Sequence, residues 1–283
     1  MSKHSRYAGR KVALLTQHGK EQVIAPILEP GLGCTIDLVT GFDTDLLGTF
    51  TREAPRPGTQ LEAARRKARK GMELSGASQG LASEGSFGPD PFTGMFPWNV
   101  ELLLWVDDDA GIEVVGIAQG AARSGHIQTG DWQAVTEFAA REGFPAHQLV
   151  LRPDGQSDKR IHKDITDWIR LKTCFDSCVA QSCSGDVFVE LDLRAFANPT
   201  RMKHIEQAAT DLVQRMQSAC PVCNTPGFWI SERQPGLPCA SCQLPTSSYR
   251  SEVWTCVRCD YRRIAERADR TVADPAHCSY CNP

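Results

Sequence analysis

The chain has 283 residues, of which 41% are hydrophobic, and a formal net charge of −3. It is therefore long enough for one large or two smaller domains with a packed core, and it has no global basic field that would draw it to nucleic acid. No apolar run approaches the roughly 18 residues of a membrane span, and the polar N-terminus lacks the apolar region of a signal peptide. We expect a cytoplasmic protein without a membrane partner.

Strands and helices alternate through most of the chain, which favours an α/β domain over residues 10–200. The first elements are a strand over Lys11–Thr16, a helix over 21–28, a strand over Cys34–Val39 and a helix over 59–73. Thr59 and Glu62 form a capping box at the start of this second helix, and Gly76 is its predicted stop.

The following segments continue the α/β pattern. A strand at Gln79–Ala82 leads into a glycine-rich turn at 83–88, which carries the acid Glu84. The remaining predicted elements are a hairpin of 100–106 and 112–117, helices over 131–142, 161–180 and 199–217, and strands over 148–151 and 186–193. Residues 201–218 are the predicted connecting helix, and residues 219–283 form a separate C-terminal domain.

Four Cys-x-x-Cys pairs occupy that C-terminal domain. A two-residue spacer lets both sulfurs of a pair reach one metal ion, and zinc takes four such ligands in a closed site. The pattern predicts two structural zinc sites in a double zinc ribbon, and in a reducing cytosol zinc is favoured over disulfides. We prefer a sequential arrangement, in which the first two pairs share one zinc ion and the last two share the other. The alternative is an interleaved arrangement, in which the first pair joins the third and the second joins the fourth. The eight ligands are Cys220, Cys223, Cys239, Cys242, Cys256, Cys259, Cys278 and Cys281.

Several features of the N-terminal half carry a family resemblance. The first strand ends at Thr16, the capped helix contains Thr59, Ala64, Lys67 and Ala68, and a later strand is followed by Ser83-Glu84-Gly85. In these motifs, residues 11–117 resemble the nucleoside triphosphate pyrophosphatases that remove inosine and xanthosine triphosphates. The sequence departs from that family in having Gln17-His18 in place of an Asn in the first loop, Ala63 where many members have Asn, and one acid where one branch has two.

The resemblance implies a mixed-sheet, pyrophosphatase-like α/β fold and Mg²⁺-dependent hydrolysis of a nucleoside triphosphate or related phosphoanhydride. Such chemistry needs Mg²⁺ on oxygen ligands, cations on the phosphates and a positioned water. Glu84 is assigned to Mg²⁺ or to the water, and Glu53 is assigned as a second metal ligand. Lys20 and Lys67 are assigned to phosphate oxygens, with Lys67 counted among the catalytic residues.

Five more residues complete the predicted substrate site. Thr16, Ser83 and Gly85 belong to the loops that would surround the nucleotide, and a glycine-rich turn lets the backbone approach it closely. Arg194 and Arg201 flank a helix that starts at Asn198-Pro199. A helix start with nearby arginines can bind an anion, although a capped structural helix with surface arginines explains the same pattern.

The whole chain also resembles a bacterial domain-of-unknown-function family, labelled 6671, which implies no activity. The similarity is carried by Phe42-Asp43-Thr44-Asp45, by 82–89, by 192–195 and 198–202, and by the terminal Cys278-x-x-Cys281-Asn282-Pro283.

A non-enzymatic module is the alternative function, with a nucleotide-recognising α/β domain and zinc ribbons that bind nucleic acid or a protein. Trp229, Trp254 and Tyr261, together with the arginines at 258, 262 and 263, would supply a stacking and phosphate-binding surface. An enzyme would instead bring Glu84, Glu53 and Lys67 into one pocket. The base of the nucleotide, the bond cleaved and the oligomeric state stay open.

Overall fold

The computed structural model describes residues 6–42 and 58–283. It divides into two compact units. The first, here called the α/β unit, includes the chain through Asp107 and Val115–Val213. The second, here called the cysteine-rich unit, consists of Asp108–Val114 and Gln214–Pro283. No helix in the described part of the chain is both long and apolar enough to cross a membrane.

A mixed five-stranded sheet organises the first half of the α/β unit, and it confirms the predicted α/β class with a mixed sheet. The order is β2-β1-β3-β4-β5. β1 runs parallel to both β2 and β3, whereas β4 runs antiparallel to β3. The strands are β1 (Lys11–Leu15), β2 (Thr35–Val39), β3 (Gln79–Pro89), β4 (Pro97–Asp107) and β5 (Ile112–Ala121).

A second sheet of four antiparallel strands lies in the same unit, in the order β6-β9-β7-β8. Its strands are β6 (His126–Thr129), β7 (Leu149–Pro153), β8 (His162–Ile165) and β9 (Val187–Leu191). Phe138, Phe175 and Val189 belong to the apolar core that this sheet shares with two helices, α3 (Trp132–Glu142) and α4 (Trp168–Gln181). Burial of such side chains from water is the main stabilising term here.

Three more helices belong to the α/β unit, and the last of them continues into the cysteine-rich unit. They are α1 (Glu21–Leu32), α2 (Gln60–Ser75) and α5 (Pro199–Gln217). The capping box at the start of α2 is confirmed, since the Thr59 side chain accepts from Glu62 N and the Glu62 side chain accepts from Thr59 N. Gly76 ends α2 in the left-handed conformation, as predicted. Ala64, Ala68 and Met72 of α2 pack on β3 and β4.

Two local predictions are wrong. Residues 83–88 are not a turn, because β3 continues through them to Pro89 and pairs with β4 along its whole length. The helix predicted over 161–180 begins only at Trp168, because the Asp167 side chain caps it and His162–Ile165 pairs with β7 instead. Asp164 adopts a left-handed φ of 57°, which a helix interior does not allow.

The cysteine-rich unit is built around a three-stranded antiparallel meander, β10-β11-β12. Its strands are β10 (Trp229–Pro235), β11 (Tyr249–Thr255) and β12 (Arg262–Glu266). Each Cys-x-x-Cys pair lies at an end of a strand or beyond the last one, which decides how the pairs meet.

Candidate functional site

A notch forms in the five-stranded sheet where β1 ends. The pairing of β1 with β3 runs only through Leu14↔Leu81, while β3 continues to Pro89. Beyond that point a side chain takes the place of β1, because Lys20 Nζ donates to the Ser83 carbonyl at 2.8 Å. Gln60 Nε2 of α2 donates to the carbonyls of Glu84 on β3 and Val100 on β4, at 2.6 and 3.0 Å. The notch therefore lies at the carboxyl end of a parallel strand, where ligands of α/β proteins bind.

One face of β3 at the notch turns toward α2. Because side chains alternate along a strand, Glu84 shares a face with Ala82, which packs on α2. There the Glu84 carboxylate forms an ion pair with Lys67, and both side chains are largely buried. Two of the three residues that sequence analysis assigned to catalysis, Glu84 and Lys67, are thus partners of each other.

The opposite face of β3 carries a second ion pair at Gly85. Glu101 stands directly across from Gly85 on β4, and Arg201 Nε of α5 donates to Glu101 Oε1 at 2.6 Å. The two charged side chains are 1% and 0% exposed. A Cβ on Gly85 would lie 2.5 Å from Arg201 Nη2 and 2.8 Å from Glu101 Cδ. The glycine is needed here for packing, not for a turn.

Lys20 is 4% exposed and lies on the same side of the sheet, since its Nζ is also 3.3 Å from Ser83 Oγ. Burial, followed by the charge of Arg201, lowers the pKa of Lys20 to about 7. The other charged groups that act most strongly on it are Glu84, Lys67 and Glu101. These three cations and two carboxylates lie on the two faces of β3 near the notch, and we call them the notch cluster.

A polar chain extends from the notch cluster along the sheet. Asn99 Nδ2 donates to Glu101 Oε1 and to the Ser86 carbonyl, each at 3.1 Å. Asn99 Oδ1 therefore accepts from His204 Nδ1 at 2.8 Å. Burial lowers the pKa of His204 and favours its neutral form. This chain fixes the position of Glu101 and, through it, of Arg201.

Sequence analysis missed Glu101, Asn99, Gln60 and His204. A detectable signal existed for two of them, since Asn99 and Glu101 sit two residues apart before the apolar run of β4. Period-2 spacing puts both on one face, and a buried polar pair in such a strand indicates a partner. Gln60 and His204 lie on exposed-looking helix positions in the sequence and give no comparable signal.

Two other residues predicted for substrate binding, Arg194 and Thr16, do not belong to the notch cluster. Arg194 is held by Asp192 at 2.6 Å and by Asp164 at 2.8 Å, and it lies over the ring of Phe196. Two carboxylates already neutralise it. Thr16 is half-buried just after β1.

Some predicted positions lie outside the described residues. These are the proposed metal ligand Glu53 and the acidic pair Asp43 and Asp45.

The eight cysteines form two groups of four that are positioned to bind metal ions such as zinc. In the first group the Sγ atoms of Cys220 and Cys259 are 3.8 Å apart, and those of Cys223 and Cys256 are 3.6 Å apart. A tetrahedron with Zn–S bonds of about 2.3 Å has edges of about 3.8 Å. The second group, Cys239, Cys242, Cys278 and Cys281, has matching separations of 3.9 and 3.6 Å.

The pairing is interleaved, so the preference for sequential pairing is wrong. The first pair precedes β10 and the third follows β11, and the register Trp229↔Thr255 puts these two strand ends side by side. The second pair lies between β10 and β11 at the other end of the meander, and a bridge between Cys239 and Ala273 brings the last segment there. Antiparallel strand order, which spacing does not reveal, decides the pairing.

Three of the four pairs share one turn, which explains the two-residue spacer. Cys220 N donates to Thr225 O, Cys239 N to Leu244 O and Cys256 N to Tyr261 O, always five residues on. Backbone amides also donate to sulfur, as in Arg258 N to Cys256 Sγ at 3.4 Å. These bonds confirm that the turn backbone supports the ligands.

Aromatic side chains of the cysteine-rich unit pack mainly on one another. The ring centroids of Trp229 and Trp254 are 5.4 Å apart, and those of Phe228 and Tyr261 are 5.6 Å apart. The Arg263 guanidinium lies over both Phe228 and Trp254. The three aromatic residues proposed as a nucleic-acid surface are thus half-buried against each other and Phe228, whereas the arginines at 258, 262 and 263 are exposed.

No curated protein and no solved structure matched the chain. The matched family range is 67–283, which contains 82–89, 192–202 and the terminal cysteine pair, whereas Lys20 and Phe42-Asp43-Thr44-Asp45 precede it. This range covers well over half of the chain and includes Lys67, Glu84 and Arg201 of the notch cluster. The chain belongs to the family described as Domain of unknown function (DUF6671).

Proposed function

We propose that the α/β unit binds a nucleoside triphosphate or a related phosphoanhydride at the notch cluster and hydrolyses it with Mg²⁺. The gathering of cationic side chains on the desolvated edge of β3 supports this proposal. Lys20, Lys67 and Arg201 lie on the two sides of β3 together with Glu84 and Glu101. A buried positive charge is costly, which is why the pKa of Lys20 is lowered to about 7, and a phosphate oxygen beside it would favour the protonated form.

The ion pair between Lys67 and Glu84 defines the proposed roles. In the absence of substrate these two groups neutralise each other. A phosphate would compete for Lys67, because charge-assisted bonds to phosphate are among the strongest available. Glu84 would then be released to hold Mg²⁺ or to orient the attacking water. Lys20 and Arg201 stay on the other side of β3, where their positive charge would act on the phosphate chain across the strand without contacting it.

Mg²⁺ fits this arrangement only as part of a complex with substrate. Within residues 6–42 and 58–283, the two groups of cysteines are the only sets of three or more metal-ligating side chains. Mg²⁺ commonly uses one or two carboxylates together with substrate phosphates and water. Glu84 is the carboxylate that would serve here, and the ion would supply charge stabilisation on the phosphate oxygens.

The cysteine-rich unit is a weaker candidate for nucleic-acid binding. Residues 214–283 contain eight arginines, no lysine and six acidic residues, and 108–114 add three more acids. Each tetrathiolate zinc site adds two negative charges, so the metal-loaded unit is net negative. Nucleic-acid affinity rests mainly on cations that neutralise phosphates. The charge balance of this unit therefore favours the enzyme over the alternative module.

The test is a screen of nucleoside triphosphates with zinc-loaded protein and Mg²⁺, with identification of the released phosphate or pyrophosphate. We expect Glu84→Gln to abolish turnover, since a neutral amide neither holds Mg²⁺ nor activates water. Lys67→Met should lower kcat by two orders of magnitude or more, in the range of other electrostatic catalytic groups, about 10²–10³.

Matched controls come from the same helix. Glu73→Gln and Lys70→Met change an exposed pair on α2, three residues apart, and should leave turnover unchanged. Wild-type protein that releases no phosphate or pyrophosphate from any triphosphate would refute the proposal. Equal turnover by Glu84→Gln and Glu73→Gln would also refute it.

A further inference from the structure

The loop between β3 and β4 exposes large apolar side chains. Phe92, Met95 and Phe96 are 82%, 73% and 60% exposed. Trp98 lies at the base of the loop, where its ring packs edge-on against Phe92 and its Nε1 donates to Gln119. Burying such side chains would be favourable by about 1.5–3 kcal/mol each when complete, so this exposure is unusual for a free surface. We call residues 90–98 the apolar tip.

The conformation of the apolar tip is held by one carboxylate. Asp90, which is itself buried, accepts from the backbone N–H of Phe92 and Thr93 through Oδ1 and from those of Met95 and Phe96 through Oδ2. These bonds lower the pKa of Asp90, so it stays ionised and keeps its acceptors at neutral pH. The tip therefore presents its apolar side chains in one preformed arrangement.

The backbone donors of the tip need no water. Asp90 N donates to Phe96 O, and Gly94 N donates to Asp90 O. The remaining positions in 90–97 are the four amides held by Asp90 and two prolines, Pro91 and Pro97, which have no N–H. Because these donors already have partners within the segment, moving its backbone out of water costs less than it would for an open loop.

Apart from the buried Asp90 carboxylate, the tip carries no charged group. Residues 91–99 contain no Lys, Arg, Asp or Glu. A protein interface normally also contains direct hydrogen bonds, and the backbone donors of residues 90–97 are already used within the tip. A lipid surface requires only apolar side chains on a water-independent backbone, with an amphipathic aromatic such as Trp at the level of the headgroups.

We propose that the apolar tip inserts into the interface of a lipid bilayer and attaches the α/β unit to it peripherally. The absence of a spanning segment, which led to the expectation of no membrane partner, does not bear on insertion of a loop. Because the tip has no basic residue, attachment depends on apolar burial and gains nothing from anionic lipid. The strength should resemble that of one short acyl chain, with a partition constant on the order of 10⁴ M⁻¹.

The test is cosedimentation of the full-length, zinc-loaded chain with sucrose-loaded phosphatidylcholine vesicles. We expect the Phe92→Ser/Phe96→Ser double variant to lose at least tenfold in partitioning. The matched control is Ile169→Ser, since Ile169 on α4 is also 82% exposed, and it should partition like wild type. Zinc content and circular dichroism show that each variant is folded.

Three outcomes would overturn the proposal. The first is wild-type protein that does not bind phosphatidylcholine vesicles. The second is binding that requires phosphatidylglycerol and disappears with salt, because a basic face would then be responsible. The third is a double variant that binds vesicles normally but changes its oligomeric state on size-exclusion chromatography with light scattering, because the tip would then contact protein. None of these outcomes depends on hydrolysis at the notch.

Discussion

Replacing Gly85 with Ala tests how tightly the notch cluster is packed. The new Cβ would lie 2.5 Å from Arg201 Nη2 and 2.8 Å from Glu101 Cδ. Neither side chain has solvent into which it can move, since they are 1% and 0% exposed. The backbone of Gly85 is not in the left-handed region, so alanine is strained by contact alone and not by its φ.

The magnitude follows from two terms. Overpacking a well-packed core costs typically about 1–3 kcal/mol, and separating a buried ion pair costs about 3–5 kcal/mol when one partner is left uncompensated. Partial displacement of Arg201 combines part of each term. We expect Gly85→Ala to lower the free energy of opening β3 by about 2–5 kcal/mol.

Hydrogen exchange of the β3 and β4 amides measures this free energy within the α/β unit, independently of the zinc sites. A loss of about 2 kcal/mol corresponds to exchange faster by about thirtyfold. Gly88→Ala on the same strand is the matched control, because its Cβ would meet nothing within 4 Å. The two variants are compared by the free energy of opening that their exchange rates give. If the values for Gly85→Ala and Gly88→Ala differ by less than about 0.5 kcal/mol, which is typical of neutral surface changes, the tight packing of Glu101 on Arg201 is refuted.

Three further changes test other parts of the structure. The double variant Cys220→Ser/Cys256→Ser removes two ligands of one site and should lose one equivalent of zinc by metal analysis. The double variant Cys220→Ser/Cys239→Ser removes one ligand from each site and should lose two equivalents. Sequential pairing would give the opposite result for each variant. Sulfate, which does not titrate near neutrality, should bind the notch more weakly as pH rises through about 7, where Lys20 loses its proton. The Lys20→Met variant should show a flat and weaker profile by calorimetry. Asp90→Ala should speed exchange of the four amides that the carboxylate holds, without loss of zinc.

Sequence patterns predict those parts of the fold that depend on local chemistry. The capping box of Thr59 and Glu62 is a contact between residues three apart, and it forms as expected. The metal ligands are equally local, since each Cys-x-x-Cys turn needs only its own backbone. The start of α5 at Asn198 and Pro199 was likewise predictable, because a capping residue and a first-turn proline act within one helical turn.

Features that depend on distant parts of the chain were not predictable. The glycine at 85 was interpreted as part of a turn, although its reason is Arg201, more than a hundred residues away. The interleaved zinc pairing depends on strand order, and the role of Glu101 depends on α5 reaching it. Lys67 and Glu84 were each recognised as candidates, but their direct ion pair required knowing that Glu84 lies on the α2 face of a continuing strand.

The two kinds of site make different demands on the fold. A metal centre of four cysteines is closed, because every coordination position is taken by sulfur. Such a centre stabilises the fold of a small unit, and it has no open coordination position for a substrate. The notch cluster is the opposite case, because its five charged groups come from the residue before α1 and from α2, β3, β4 and α5. Under the proposed function, a phosphate displaces the Glu84 carboxylate from Lys67. Our proposal therefore places the chemistry in the α/β unit and not at the cysteines.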